Sequence, residues 1–178
     1  MKEKKISTNF LFVLGLIVLA AATRFIPHPP NFAPIAGVAL FGAAYFKNKW
    51  AAFVLPAVVM LVTDAVLGFH SALPFVYLGF GLIVGIGFLL RGKISVGRVA
   101  GASLAGSGAF FVVSNFGVWI ATGYYPLTFE GLLTCYAMAI PFLHNTVVGD
   151  LVYTGALFGA YELAKAKAPQ LRLQRVEA

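Results

Sequence analysis

Apolar residues dominate this chain in long blocks, broken by short polar or proline-bearing segments. A helix that crosses the roughly 30 Å hydrocarbon core of a bilayer needs about 20 mostly apolar residues. On that measure the blocks predict six spans, near residues 9–26, 33–46, 50–69, 74–90, 99–122 and 142–163. The second is short for a crossing. The last apolar region, 132–163, is too long for one crossing at about 1.5 Å per residue. It also contains Pro141, which lacks the N–H that a helix interior uses. A short interfacial or re-entrant piece before Pro141, then a sixth helix, is the predicted arrangement. The fold class that follows is all-α, a polytopic membrane bundle. Residues 1–164 form a single transmembrane domain and 165–178 a basic cytoplasmic tail.

Charge orients the spans. Lys2, Lys4 and Lys5 precede the first, and Lys47 and Lys49 join the second to the third. Arg91, Lys93 and Arg98 join the fourth to the fifth, and Lys165, Lys167, Arg172 and Arg175 follow the sixth. All these residues fall on one face, and Arg24 alone of the 13 basic residues falls on the other. Cytoplasmic loops concentrate Lys and Arg, so both termini are expected in the cytoplasm; five or seven spans would break the agreement. The composition fits, with 60% hydrophobic and 11% charged residues and a mean hydropathy of +0.89, against roughly 45–50% and about 25% in soluble domains. The net charge of +7 comes from short loop clusters. That pattern points to membrane lipid and away from nucleic acid. Lys2 to Lys5 followed by an apolar run and Ala20-Ala21-Ala22 also has the layout of a signal peptide, but a retained first span is the preferred reading. Cys135 is the single cysteine, so no internal disulfide forms.

The outer face gathers the rare polar groups. Its first loop, from Arg24 to Pro34, packs Pro27, Pro29, Pro30 and Pro34 into eight residues. Proline fixes φ and removes a donor, so this loop is stiff. It suits the wall or lid of a pocket, or a plain rigid connector. Asp64 falls in the outer half of the third span, Asn115 in the outer part of the fifth, and Asp150 in the outer or middle third of the sixth. Charged groups in hydrocarbon face the bundle interior, pair, and mark functional positions. Arg24 is the only cation at that depth and is expected to pair with Asp64 or Asp150. His28, His70 and His144 share the face without a helical i, i+4 partner, so no metal is expected. His144-Asn145-Thr146 is expected to open the sixth helix just after Pro141. A helix N-terminus there would offer free N–H groups and a positive dipole end to an anionic ligand group. Trp119, Tyr124, Tyr125, Phe129 and Tyr136 surround the last outer loop, either as an interfacial aromatic belt or as a stacking surface. Small residues four apart, as at Ala39 and Ala43, mark close helix packing.

No phosphate-binding loop, nucleophile elbow, zinc-protease pair or dinucleotide fingerprint occurs. An enzyme is therefore not expected, and no cofactor is called for. The segments RFIPHPPNFA (24–33), DAVLGFH (64–70), SNFGVW (114–119) and GLLTCYAMAIPFLHN (131–145) resemble the pattern of a family of small bacterial membrane proteins of unknown function. That family is similar, more loosely, to the S components of energy-coupling-factor vitamin transporters, and the resemblance covers most of residues 20–163. It implies a six-helix bundle in the bacterial cytoplasmic membrane and a pocket near the outer face, under the loops joining helices one to two and three to four. It also implies a vitamin or related micronutrient as ligand, and transport by toppling with a transmembrane coupling subunit and its ATPases as partners. The alanine-xxx-alanine step that S components use for docking is absent from the first span. On this reading the ligand-binding residues are Arg24, His28, Asn31, Asp64, His70, Asn115, His144, Asn145 and Asp150. Arg24 would hold an anionic group or clamp an aspartate, Asn31 and Asn115 would hydrogen-bond the ligand, and His28 and His70 would close the loops above it. The alternative is a structural subunit of a larger membrane complex, with polar groups that pair only with one another and a pocket filled by side chains. A small intramembrane enzyme using His144, Asp150 or Cys135 is a third reading.

Overall fold

Ser7, Asn48, Ser95 and Thr128 each sit in extended backbone just ahead of an apolar run. Their side-chain oxygens accept from the N–H groups of Phe10 (3.1 Å), Trp50 (2.8 Å), Arg98 (3.4 Å) and Gly131 (3.1 Å). Such caps satisfy donors that a helix start otherwise leaves open. They begin four helices: α1 (Thr8–Ala22), α3 (Lys49–Leu67), α5 (Val96–Ala121) and α6 (Phe129–Lys167). Two shorter helices, α2 (Ile35–Tyr45) and α4 (Leu73–Phe88), follow Pro34 and Ala72 and have no cap of that kind. The structure is a computed structural model and describes residues 7–168 and Leu171. Lys2, Lys4, Lys5, Arg172 and Arg175 lie outside the described residues, as does most of the expected basic tail.

Among the described residues the fold is all-α with six α-helices. Of these, α1 with the 3-10 turn Thr23–Phe25 behind it, α3, α5 and α6 are long and apolar enough to cross a membrane. The exterior is apolar, with Leu19, Val62, Leu89 and Ile140 turned outward, as lipid-solvated helices require. The short helix α2 lies in the middle. Every residue from Ala36 to Ala43 is buried, and α2 touches all five other helices. A helix that is apolar all round belongs inside a bundle. Small residues bring its neighbours close. A Cβ on Gly87 of α4 would stand 2.6 Å from Ala43 Cβ, and one on Gly42 would stand 2.6 Å from Pro56 of α3.

Both ends of α2 are held by charges from elsewhere. At its start the N–H of Ala36 donates to the Asp150 carboxyl of α6. At its end Arg91 donates to the carbonyls of Ala43 (2.8 Å), Phe46 (2.7 Å) and Lys47 (3.3 Å). An acid at the N-terminus and a cation at the C-terminus each complement the helix dipole. At 11 residues α2 is about 16 Å long, roughly half the hydrocarbon thickness.

The expected break at Pro141 does not occur. α6 is one helix of 39 residues, about 58 Å long, and passes through Pro141. Proline removes one i to i−4 bond, that of the Ala137 carbonyl, while the turns on either side keep theirs. The first half of α6 is steadied along α5. Tyr136 donates to the Val112 carbonyl at 2.6 Å, the Cys135 thiol donates to the Asn115 carbonyl at 3.4 Å, and the Phe111 and Tyr136 rings lie 5.8 Å apart. No separate re-entrant piece precedes a sixth helix, and His144 opens nothing.

Candidate functional site

The cavity is a consequence of the short central helix. The proline-rich stretch before α2 cannot be helical, so α2 starts only at Ile35 while its neighbours continue past it. The space above its first turn is a cavity of about 400 Å³. Ile35 and Ala36 form its floor, and Asn31 and Ala33 come from the proline loop. Phe110, Phe111, Ser114, Asn115 and Val118 of α5, Thr146 and Asp150 of α6, and Leu73 and Val76 of α4 make the walls. Arg24, Asp64 and His70 complete the rim. Asn31 holds a left-handed backbone with φ 62°, a conformation that asparagine tolerates better than most residues, and so turns the loop toward α2.

The electrostatics divide into two groups. Arg24 Nη2 lies 2.6 Å from Asp64 Oδ1, and Nη1 donates to the Thr63 hydroxyl and, at 3.4 Å, to the Met60 carbonyl. The second Asp64 oxygen accepts from Tyr77 at 2.7 Å. Asp64 is buried and Arg24 mostly so, with side-chain exposures of 5% and 14%, and both acid oxygens are engaged. Asp150 is separate. It takes the Ala36 N–H and a 2.6 Å hydrogen bond from Ser107. The cavity therefore combines aromatic and aliphatic walls, side-chain amides and hydroxyls, one compensated ion pair and a helix N-terminus.

Six of the nine residues expected from the sequence line this cavity: Arg24, Asn31, Asp64, His70, Asn115 and Asp150. His28 lies outside it, in a separate open hollow shared with Arg24, with its Nδ1 3.0 Å from the Pro29 carbonyl. Asn145 does not line the cavity. Its amide donates to the Pro30 carbonyl at 3.1 Å and ties the proline loop to α6. His144 is exposed on the continuous α6 and does not line this cavity. The helix N-terminus that the cavity meets is that of α2, beside Asp150 rather than His144. Asn115 uses its amide N–H on the Phe111 carbonyl of its own helix (2.8 Å), which leaves its side-chain oxygen for a ligand.

Tyr77 and Ser107 escaped the sequence reading, and Ser114 and Thr146 entered it only as members of motifs, without a role of their own. Hydroxyls inside apolar runs look like ordinary packing residues. The available signal was that Ser103, Ser107 and Ser114 share one span with Asn115, with Ser103 and Ser107 four apart on one helix face.

The family of unknown function DUF6580 matches residues 4–171, and the chain belongs to it. No curated protein and no solved structure matches the chain.

Proposed function

We propose that this member of the DUF6580 family is a six-span protein of the bacterial cytoplasmic membrane that captures a vitamin-sized molecule from the outer face, in the manner of the S components its sequence resembles. The observation that carries the reading is the cavity of about 400 Å³ above α2. Small-molecule sites span about 300–1,000 Å³ and combine apolar walls with a few placed polar groups. The cavity has that make-up, and it lies at the end of the bundle where Arg24 stands apart from the other basic residues. Phe110 and Phe111 offer faces to a flat ring, and Asn31, Asn115 and Ser114 offer hydrogen bonds. Because Arg24 and Asp64 neutralise each other, a neutral or weakly charged ligand fits better than a strong anion.

The structural-subunit reading expects polar groups paired only with one another and a pocket filled by side chains. The Arg24–Asp64 pairing is as it expects, but the Asn115 side-chain oxygen and the open cavity favour a ligand. A coupling subunit with ATPases remains the partner on this proposal, reached through a surface other than a helix-one alanine step. The test is mass spectrometry of small molecules extracted from the gently purified protein. A stoichiometric organic molecule is expected from the native chain and not from Val76→Trp, which fills the cavity, while both proteins melt at similar temperatures. An empty native protein across several growth media, or a molecule retained unchanged by Val76→Trp, overturns the reading.

A further inference from the structure

Two buried carboxylates face the cavity, and only one has a cation. Asp64 is paired with Arg24. Asp150 is 3% exposed, and among the described residues no Lys, Arg or His lies within ion-pair distance of it. Its partners are the Ala36 N–H and the Ser107 hydroxyl. That hydroxyl has one proton and two acceptors in reach, Asp150 Oδ2 at 2.6 Å and the Ser103 carbonyl at 3.0 Å. When Asp150 is ionised, Ser107 donates to Oδ2. When Asp150 is protonated, the acid donates to Ser107 Oγ, and the Ser107 proton turns to the Ser103 carbonyl. Both states leave these donors and acceptors satisfied without moving a heavy atom. A carboxylate that only capped α2 would need just the first arrangement. A charge at this depth without a cation is expensive, and a proton removes it.

We propose that Asp150 is a reversible proton site in the cavity wall that exchanges with water at the outer face and so switches the charge beside the start of α2. Protonation forms one O–H bond at the carboxyl with a proton taken from water; ionisation returns that proton to water, and Ser107 keeps its own proton in both states. The route does not continue inward as a hydroxyl relay. Ser107 meets Ser103 through a carbonyl that has no proton to pass, and the Ser103 and Thr154 hydroxyls are 3.5 Å apart. The other charged or titratable groups facing the cavity are Arg24, Asp64 and His70. Tyr77 of α4 is engaged by Asp64, and Tyr153 of α6 accepts from Thr23. The only titratable residues of α2 and α5, Tyr45 and Arg98, stand toward the opposite ends of those helices.

The assignment of the outer face rests on the proposed function, but the test needs no ligand, so an empty cavity would sink ligand capture and leave the proton site standing. The experiment is infrared difference spectroscopy of the purified full chain, titrated from acid to alkaline pH. A carboxylic-acid band that fades as pH rises is expected in the native protein, lost in Asp150→Asn, and moved to higher wavenumber in Ser107→Ala, where the acid loses its acceptor. Spectra of native protein and Asp150→Asn that coincide at every pH overturn the proposal. Asn has the shape of the protonated acid and meets the same partners, so this variant is expected to fold. If it does not, Ser107→Ala decides alone, since an acid band from any other residue keeps its frequency.

Discussion

Arg24 and Asp64 show what one buried pair can enforce. The ion pair is 2.6 Å long and nearly closed to solvent. Removing one partner of such a pair leaves an uncompensated charge and costs about 3–5 kcal/mol. Arg24→Ala is therefore expected to lower the thermal midpoint in detergent sharply. Adding Asp64→Asn to Arg24→Ala should recover more than half of the loss, because the orphaned charge is gone. Equal losses in the single and double variants would mean that the guanidinium acts through Thr63 and Met60 rather than through its charge. This contact was legible in the sequence because Arg24 is the only cation on its face and charges at membrane depth pair. The choice of Asp64 over Asp150 was not legible, since depth alone suits both. It is settled by Tyr77, which holds the second Asp64 oxygen at 2.7 Å, and by α2, whose first turn takes Asp150. A phenol or a serine in an apolar run carries no mark of its partner, and only the packing of the helices supplies one.

At the scale of elements, α6 separates what local rules say from what neighbours allow. Pro141 reads locally as a boundary, and the sequence predicts a helix beginning just after it. The helix continues instead because α5 runs beside it and holds both sides of the proline, through Tyr136 before it and Asp150 after it. The two arrangements give opposite signs for Pro141→Ala. Inside a helix, proline is about 3 kcal/mol worse than alanine, and even with local accommodation the variant should gain about 1–2 kcal/mol of stability. At a helix start, proline is pre-organised and its loss would cost up to about 1 kcal/mol. A raised midpoint in thermal denaturation is the expected result; a lowered one would mean that α6 is broken in the membrane. For α2 the sequence marked a short apolar span with a stiff, proline-rich approach, and its burial at the centre of the bundle came only with the packing of the other five helices. The charges at its two ends, Asp150 and Arg91, come from segments more than forty residues away in sequence, so nothing local pointed to them.

At the scale of the whole molecule, the contacts decide how the chain must run if it lies in a bilayer. Arg24, just past the end of α1, touches Asp64, near the end of α3. The two helices therefore finish on the same side, and the chain must return between them. Only α2 and the proline loop lie on that route, although α2 covers about 16 Å. Non-helical backbone at membrane depth is tolerated where it lines a cavity, and Asn31 and Ala33 line the one above α2. The same holds for α4: Tyr77, near its start, meets Asp64 near the end of α3, and Arg91, just past its finish, meets the end of α2. On the proposed topology the two short helices complete six crossings, the number that also gathers the basic loops on one face. Four crossings by the long helices alone would put Lys49 outside and Phe69 inside. In a Cys135→Ala background, Phe69→Cys is expected to react with an impermeant maleimide on intact cells, and Lys49→Cys only after the membrane is opened. Phe69 is 64% exposed and Lys49 is exposed as well, so access within the protein does not limit either reaction. The reverse pattern would remove both the six-span topology and the outward-facing cavity, because the side that holds Asp64 and His70 would then face the cytoplasm.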